Sequence, residues 1–195
     1  AELLAASNQL EMARTLYLEA LRIAPNSVMI LVGLGDLYLK LKDFGEAVLV
    51  FEKATSLDPS RADIVKALGE ANVLLGRFDP AQTAFARAAA IDPLNPDYLR
   101  RAGECLWQLA RHASAIALWK KNLLQHPNDA ATHAKLGAAL SHQGKHLEAF
   151  TAYQRAAQES PQDISLALET ARAALTLKNF DSALPHLERA SKLTP

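Results

Sequence analysis

The sequence predicts an all-α solenoid assembled from antiparallel helix pairs, and three observations carry that prediction. Six prolines, Pro25, Pro59, Pro93, Pro127, Pro161 and Pro195, recur every 34 residues. A fixed period of that size marks a stack of small supersecondary units, each burying its apolar face on its neighbours. Within one period the apolar residues trace a helix face twice: Leu31, Leu34, Gly35 and Tyr38 follow the i, i+3, i+4, i+7 spacing, and Ala47, Phe51 and Ala54 mark a second inner face. One alanine position, held by Ala13, Ala47, Ala81, Ala115, Ala149 and Ala183, keeps the same period along the whole chain.

The chain has 195 residues, 21 basic and 21 acidic. A net charge of zero argues against gripping nucleic acid or a membrane surface mainly by charge. No apolar run approaches the roughly 18 residues of a spanning helix, so direct membrane insertion is not expected. With a single cysteine, Cys105, no internal disulfide forms. No basic segment followed by an apolar one opens the chain; a soluble, cytoplasmic protein is favoured, although a signal peptide already removed would leave no trace. The repeat makes residues 1–195 one array without a linker. Its repeats are residues 1–27 (partial), 28–61, 62–95, 96–129, 130–163 and 164–195 (degenerate).

Repeat 1 lacks its front. Residues 1–8 read as the tail of a first helix and residues 10–24 as a second, with Ala13, Tyr17 and Ala20 on one face. An array that begins inside a helix and ends at Pro195 reads as a segment of a longer one. In repeat 2, small Gly35 and Ala47 let the two helices approach while Tyr38 and Phe51 fill the space beside them. Asp43 is expected to cap the second helix, with Glu46 completing a capping box. Repeat 3 repeats the pattern with Val65, Leu68, Gly69, Ala81, Phe85 and Ala88, and its second helix is expected to open on Asp79-Pro80. Repeat 4 uses Leu99, Ala102, Gly103, Ala115 and Trp119 and opens on Asn95-Pro96; repeat 5 uses Leu136, Gly137, Ala149, Tyr153 and Ala156. Repeat 6 places Ala167, Thr170, Ala171 and Ala174 where larger or stricter residues stand elsewhere. Pro185, past the first turn of its second helix, is expected to kink or weaken that helix. Leu187 and Leu193 at one end and Leu3 and Leu4 at the other have no further repeat to cover them. Self-association through these uncapped end repeats is expected.

These residues resemble the tetratricopeptide repeat family over essentially the whole chain. The family pattern has a large residue at the fourth position, Leu-Gly at the seventh and eighth, an aromatic at the eleventh, Ala at the twentieth, an aromatic at the twenty-fourth, Ala at the twenty-seventh and Pro at the thirty-second. Leu31, Leu34, Gly35, Tyr38, Ala47, Phe51, Ala54 and Pro59 match it throughout. The departures are Asn72 at an aromatic position, Asn122 at an alanine position, His133 at the large one, and most of the first helix of repeat 6. The resemblance implies a right-handed α-solenoid in which the first helix of each pair lines a concave groove that holds a peptide or partner helix. It also permits a test. Co-chaperones of this family clamp the acidic tail of heat-shock chaperones with Lys and Asn on successive first helices; here Lys66 fits, but Glu70 and Arg101 stand where asparagines belong. That clamp is not expected.

Little in the sequence points to chemistry. Gly33-Leu34-Gly35 lacks the third glycine and sits inside a helix, so it is no dinucleotide loop. No phosphate-binding loop or zinc-protease motif occurs, and Ser141 and His142 have no acid spaced to complete a triad. No catalysis, cofactor or metal is expected. The six histidines all follow residue 111. His142 and His146 are four apart but separated by Gly144 at a turn, and His112 and His146 occupy the position of Phe44, Phe78 and Phe180, where they read as replacements for a packing aromatic. Cys105 aligns with Ala71, Ala139 and Ala173 and reads as a small buried thiol.

Helical phase selects the groove face. In repeat 2 it carries Met29, Val32, Asp36, Leu39 and Lys40. In repeat 3 it carries Asp63, Lys66, Glu70, Val73 and Leu74, and in repeat 4 Asp97, Arg100, Glu104, Trp107 and Gln108. Repeat 5 contributes Ala131, Ala134, Ala138, Ser141 and His142, and repeat 6 contributes Ser165, Leu168, Arg172, Leu175 and Thr176. Asp36, Glu70 and Glu104 form an acidic row, with Lys66–Glu70 and Arg100–Glu104 at the i, i+4 spacing of ion pairs. Trp107 is the largest side chain on this face, flanked by Val73 and Leu74 on one side and by small Ala134 and Ala138 on the other. The expected partner-binding set is therefore Asp36, Leu39, Lys66, Glu70, Val73, Leu74, Arg100, Glu104, Trp107, Ala134, Ala138, His142 and Arg172. The expected function is a non-catalytic interaction scaffold holding a protein or peptide ligand in the groove, without nucleic acid. The alternative is a structural or oligomerising segment of a larger enzyme, transport or secretion assembly.

Overall fold

A computed structural model describes residues 2–193, with side chains from residue 9 onwards. Among the described residues all regular structure is helical. The helices are α1 (Glu2–Ile23), α2 (Val28–Leu41), α3 (Phe44–Leu57), α4 (Ala62–Leu74), α5 (Phe78–Ile91), α6 (Pro96–Gln108), α7 (His112–Gln125), α8 (Ala130–His142), α9 (His146–Glu159), α10 (Ile164–Thr176) and α11 (Phe180–Leu193). They fall into two compact bodies, Ala1–Leu109 and Ala110–Pro195. In the N-terminal body each of α1 to α6 packs on the next; in the C-terminal body each of α7 to α11 does the same.

Helices this short are marginal alone and depend on packing. In three pairs the packing is set by a glycine on the first helix, α2, α4 or α8, meeting an aromatic on the second. A Cβ added to Gly35 would lie 2.5 Å from Cζ of Phe51, one added to Gly69 would lie 3.0 Å from Cε1 of Phe85, and one added to Gly137 would lie 3.0 Å from Cγ of Tyr153. Phe51 and Phe85 have no exposed surface, and the recurring alanines Ala47, Ala81, Ala115 and Ala149 are buried as well. Trp119 and Tyr153 are core residues, as their repeat position requires. Repeat 6 is better packed than its sequence implies: Ala167, Thr170, Ala171 and Ala174 are all buried, and Thr170 donates its hydroxyl hydrogen toward the Leu166 and Tyr153 carbonyls at 2.7 and 3.1 Å.

Several helix ends differ from expectation. Residues 2–23 form one helix, α1, rather than two; nothing between them breaks helical geometry. Asp43 occupies the N-cap position of α3, but its side chain makes no capping bond, so the capping box is not formed. Helix α5 starts at Phe78 with Arg77 as N-cap, not at Pro80. Pro80 is still tolerated, because the first four N–H groups of a helix have no intrahelical partner. Asn95 does cap α6, accepting from the Asp97 N–H at 3.0 Å. Helix α11 continues through Pro185. His146 is exposed rather than packed, whereas His112 is half-buried with its ring edge-on to His142. Leu187 is exposed and Leu193 half-buried, while the side chains of Leu3 and Leu4, and Pro195, lie outside the described residues.

One backbone feature recurs with the repeat. Lys42, Gly76, Ala110, Gly144 and Lys178, each 34 residues from the next, follow the first helix of a pair with φ of 63°, 71°, 56°, 74° and 59°. This left-handed residue lets the next N–H return to the helix: Asp43 donates to the Tyr38 carbonyl, Arg77 to Asn72, Lys145 to Leu140 and Asn179 to Ala174, each at 2.9 Å. A Cβ in this conformation costs on the order of 1 kcal/mol, and glycine avoids it. Lys178→Gly should therefore stabilise the protein by about 1 kcal/mol in urea denaturation, and Gly144→Ala should destabilise it by a similar amount. No change in either midpoint would refute this account of the turn.

Candidate functional site

The residues selected by helical phase lie on helices α2, α4, α6, α8 and α10, and none of them is buried. Their side chains point away from the glycine–aromatic contacts because those contacts take the opposite face of the same helices. In the N-terminal body the acidic row is threaded with cations. Lys66 Nζ is 3.3 Å from Glu70, Arg100 is 2.9 Å from Glu104 and also bonded to Asp97, and Arg101 reaches from α6 to Glu70 on α4 at 3.3 Å. Such partly exposed pairs are worth tenths of a kcal/mol each and mainly hold side chains in place. Asp36 differs. Partial burial pushes its carboxyl above the usual carboxylate range, Lys40 pulls it back, and Glu70 adds to the rise. A cation arriving beside Asp36 and Glu70 relieves that repulsion.

Beside this row lies a cavity of about 340 Å³, lined by Val73, Phe78, Phe85, Arg101, Glu104, Cys105 and Gln108. Its floor is aromatic and its rim polar. The Arg101 guanidinium carbon sits 5.1 Å from the centre of the Phe85 ring, a cation–π contact that holds the side chain at the rim together with its Glu70 pair. Val73 and Glu104 belong to the expected partner-binding set and Gln108 to the face selected by phase; Phe78, Phe85, Arg101 and Cys105 belong to neither. Phe85 reads as core and is core; it borders the cavity beneath the Arg101 guanidinium without exposing surface of its own. Arg101 and Cys105 lie just outside the phase that selects the groove face. Trp107 is half-buried on α6, and Leu39 is half-buried on α2; Leu74 is 52% exposed.

In the C-terminal body, Ala138 and His142 are exposed on α8, and His142 lies 5.5 Å from His112 between ring centres. Ala134 is half-buried against Ala156, Ala157 and Leu166. Arg172 is exposed and pairs with Glu169 at 3.3 Å. Among the described residues no group of three or more His, Cys, Asp or Glu is placed to hold a metal ion, and no helix is long and apolar enough to cross a membrane.

The zero net charge hides a division. Residues 1–109 carry 11 basic and 14 acidic side chains, residues 110–195 carry 10 and 7, so the two bodies have net charges of opposite sign.

Comparison with known proteins agrees with this architecture. Two tetratricopeptide repeat models match residues 1–62 and 38–100, together just over half of the chain. The chain belongs to the tetratricopeptide repeat family. A third model, the bacterial transcriptional activator domain, matches residues 97–178. No curated protein matches by sequence. Among solved structures, a MamA protein is similar with a TM-score of 0.72 at 19% identity, over 87% of this chain and 92% of that one. The pilF protein of Pseudomonas aeruginosa gives 0.72 at 21% identity, over 98% and 87%. YrrB, described as a tetratricopeptide repeat protein with an unusual peptide-binding site, gives 0.65 at 19% identity, over 92% of both chains. At these identities the likeness is one of fold.

The repeat also determines the chemistry of the single thiol. Cys105 is buried, and burial pushes its pKa up to about 11, with Glu104 adding to the rise. It is therefore a protonated, unreactive thiol at neutral pH. Disulfide-exchange labelling at pH 8 should run at least about tenfold slower in the folded protein than in urea. Equal rates in the two states would contradict this assignment.

Proposed function

We propose that residues 1–195 form one tetratricopeptide array acting as a non-catalytic scaffold, which binds a segment of a partner protein along the open face of the first helices. The observation that carries this is the juxtaposition, within the N-terminal body, of a cavity lined by Val73, Phe78 and Cys105 as well as polar side chains with an acidic row whose Asp36 carboxyl is held above its usual range. An interface needs a desolvated anchor and a polar rim that sets direction. An apolar side chain of the partner fills the cavity, a basic one lies at Asp36 and Glu70, and Trp107, one turn beyond Glu104 on α6, extends the apolar surface. YrrB, described as having an unusual peptide-binding site, is in keeping with this use of the fold.

A peptide array of apolar sequences carrying Lys or Arg, against matched sequences carrying Asp or Glu, tests this reading. The basic series should bind preferentially. Trp107→Ala should weaken binding at least about tenfold with helicity intact, and Glu70→Lys should weaken it less while reducing its salt dependence. Binding should also weaken as pH falls through the titration of Asp36, since protonation removes the charge that receives the cation. Unchanged affinity in Trp107→Ala would move the site elsewhere.

A second reading rests on α11, where Phe180, Leu184 and Leu187 are 67%, 57% and 40% exposed at i, i+4, i+7 spacing. Such a stripe marks an association face, and in this reading the chain is a structural or oligomerising segment. Sedimentation should show concentration-dependent self-association that Leu187→Glu abolishes; a strict monomer at high concentration would sink it.

A further inference from the structure

The C-terminal body has a second cleft, on the face of α8 turned away from Ala134 and Ala138. It measures about 380 Å³, with Leu136, Leu140 and Ala152 as its floor and Lys120, His133, Glu148, Thr151 and Arg155 around it. We propose that this cleft binds an extended partner segment in which an aliphatic side chain is flanked by carboxylates. It goes beyond the groove reading and uses none of its residues.

The origin of the cleft is visible in the repeat. At the fourth and eleventh positions, where repeat 2 has Leu31 and Tyr38, repeat 5 has His133 and Leu140. His133 Nε2 donates to the Pro127 carbonyl at 2.8 Å, which ties the ring to the turn before α8. Leu140 is shorter than an aromatic. The space corresponding to the one that Leu31 and Tyr38 fill in repeat 2 is open between α7 and α9, with a floor of methyl groups that offers no donor.

The rim selects the sign of the occupant. Lys120 on α7 and Arg155 on α9 stand against one carboxylate, Glu148. Among the described residues no carboxylate lies within ion-pairing distance of either cation, in contrast to the paired cations of the acidic row. A ligand carboxylate at each therefore gains an interaction without breaking one, and guanidinium offers a bidentate fit. The excess of basic over acidic residues in this body adds long-range attraction of the same sign.

The test uses the full chain and two peptide pools, both with a central Leu: one flanked by Asp and Glu, the other by Lys. The acidic pool should shift the methyl resonances of Leu136, Leu140 and Ala152 saturably, and the basic pool should not. The double variant Lys120→Glu with Arg155→Glu should weaken binding at least tenfold, while Lys178→Glu with Lys192→Glu, which changes net charge equally elsewhere in this body, should change it less than twofold. Thr151→Trp, which fills the rim without altering charge, should also abolish the shifts. Circular dichroism checks that each variant folds. Trp107→Ala should leave acidic-pool binding intact, so failure of the groove reading and failure of this one are separable. The proposal is overturned if neither pool moves these methyls, if both move them equally, if the two double variants lose affinity alike, or if dodecanoate moves them and the acidic pool does not.

Discussion

The contact between a glycine on one helix and an aromatic ring on the next is the constraint on which the other features depend. At Gly35 and Phe51 there is no room for a single methyl group. That distance fixes how close the paired helices lie, and it explains why alanine recurs beside the ring. It also decides which face of each first helix is left over. A helix that must present glycine and leucine inward presents the opposite phase outward, whatever residues stand there. The open face of the first helices is thus a by-product of packing, and its chemistry is free to vary: acidic along α4 and α6, alanine-rich on α8.

Charge is organised at two scales. Locally, Lys66, Arg100 and Arg101 brace the carboxylates of the acidic row, which keeps long side chains ordered at small energetic gain. Over longer distances the bodies differ in sign, and that difference vanishes from the total. Both clefts follow their body. The cavity over Phe85 opens beside carboxylates, and the cleft over Leu140 opens beneath unpaired cations.

The period, the helix pairs and most of the core were legible in the sequence because they rest on residues repeated at one spacing. Phe51, Phe85, Trp119 and Tyr153 are core because a ring is required there. Helix ends were less legible. Asp43 and Asp79 have the chemistry of caps, yet the turn geometry set by the left-handed residues Lys42 and Gly76 starts the next helix two residues later without needing their side chains. The cavity was half legible. Val73 and Glu104 follow from phase within one helix, but Arg101 matters through Glu70 and Phe85, which lie on other helices, and no periodicity within a helix encodes that meeting. The cleft over Leu140 was signalled by His133, visible as a departure from the family pattern whose consequence depends on what α7 and α9 place around it.

The buried polar cluster at the turn before α8 has a further consequence. Asn122, fully buried where repeats 2, 3 and 5 have alanine, donates to the Thr132 hydroxyl at 2.8 Å, and Thr132 in turn donates to Asp129. An apolar alanine is indifferent to its neighbour; a buried amide is not, and here one of its partners, Thr132, is supplied by the repeat that follows. Repeats 4 and 5 are therefore keyed to each other. Shuffling modules to build new arrays from this chain can cut after repeat 2 or repeat 3 without stranding a buried amide of this kind. A cut between repeats 4 and 5 separates Asn122 from Thr132 and transfers a lock without its key.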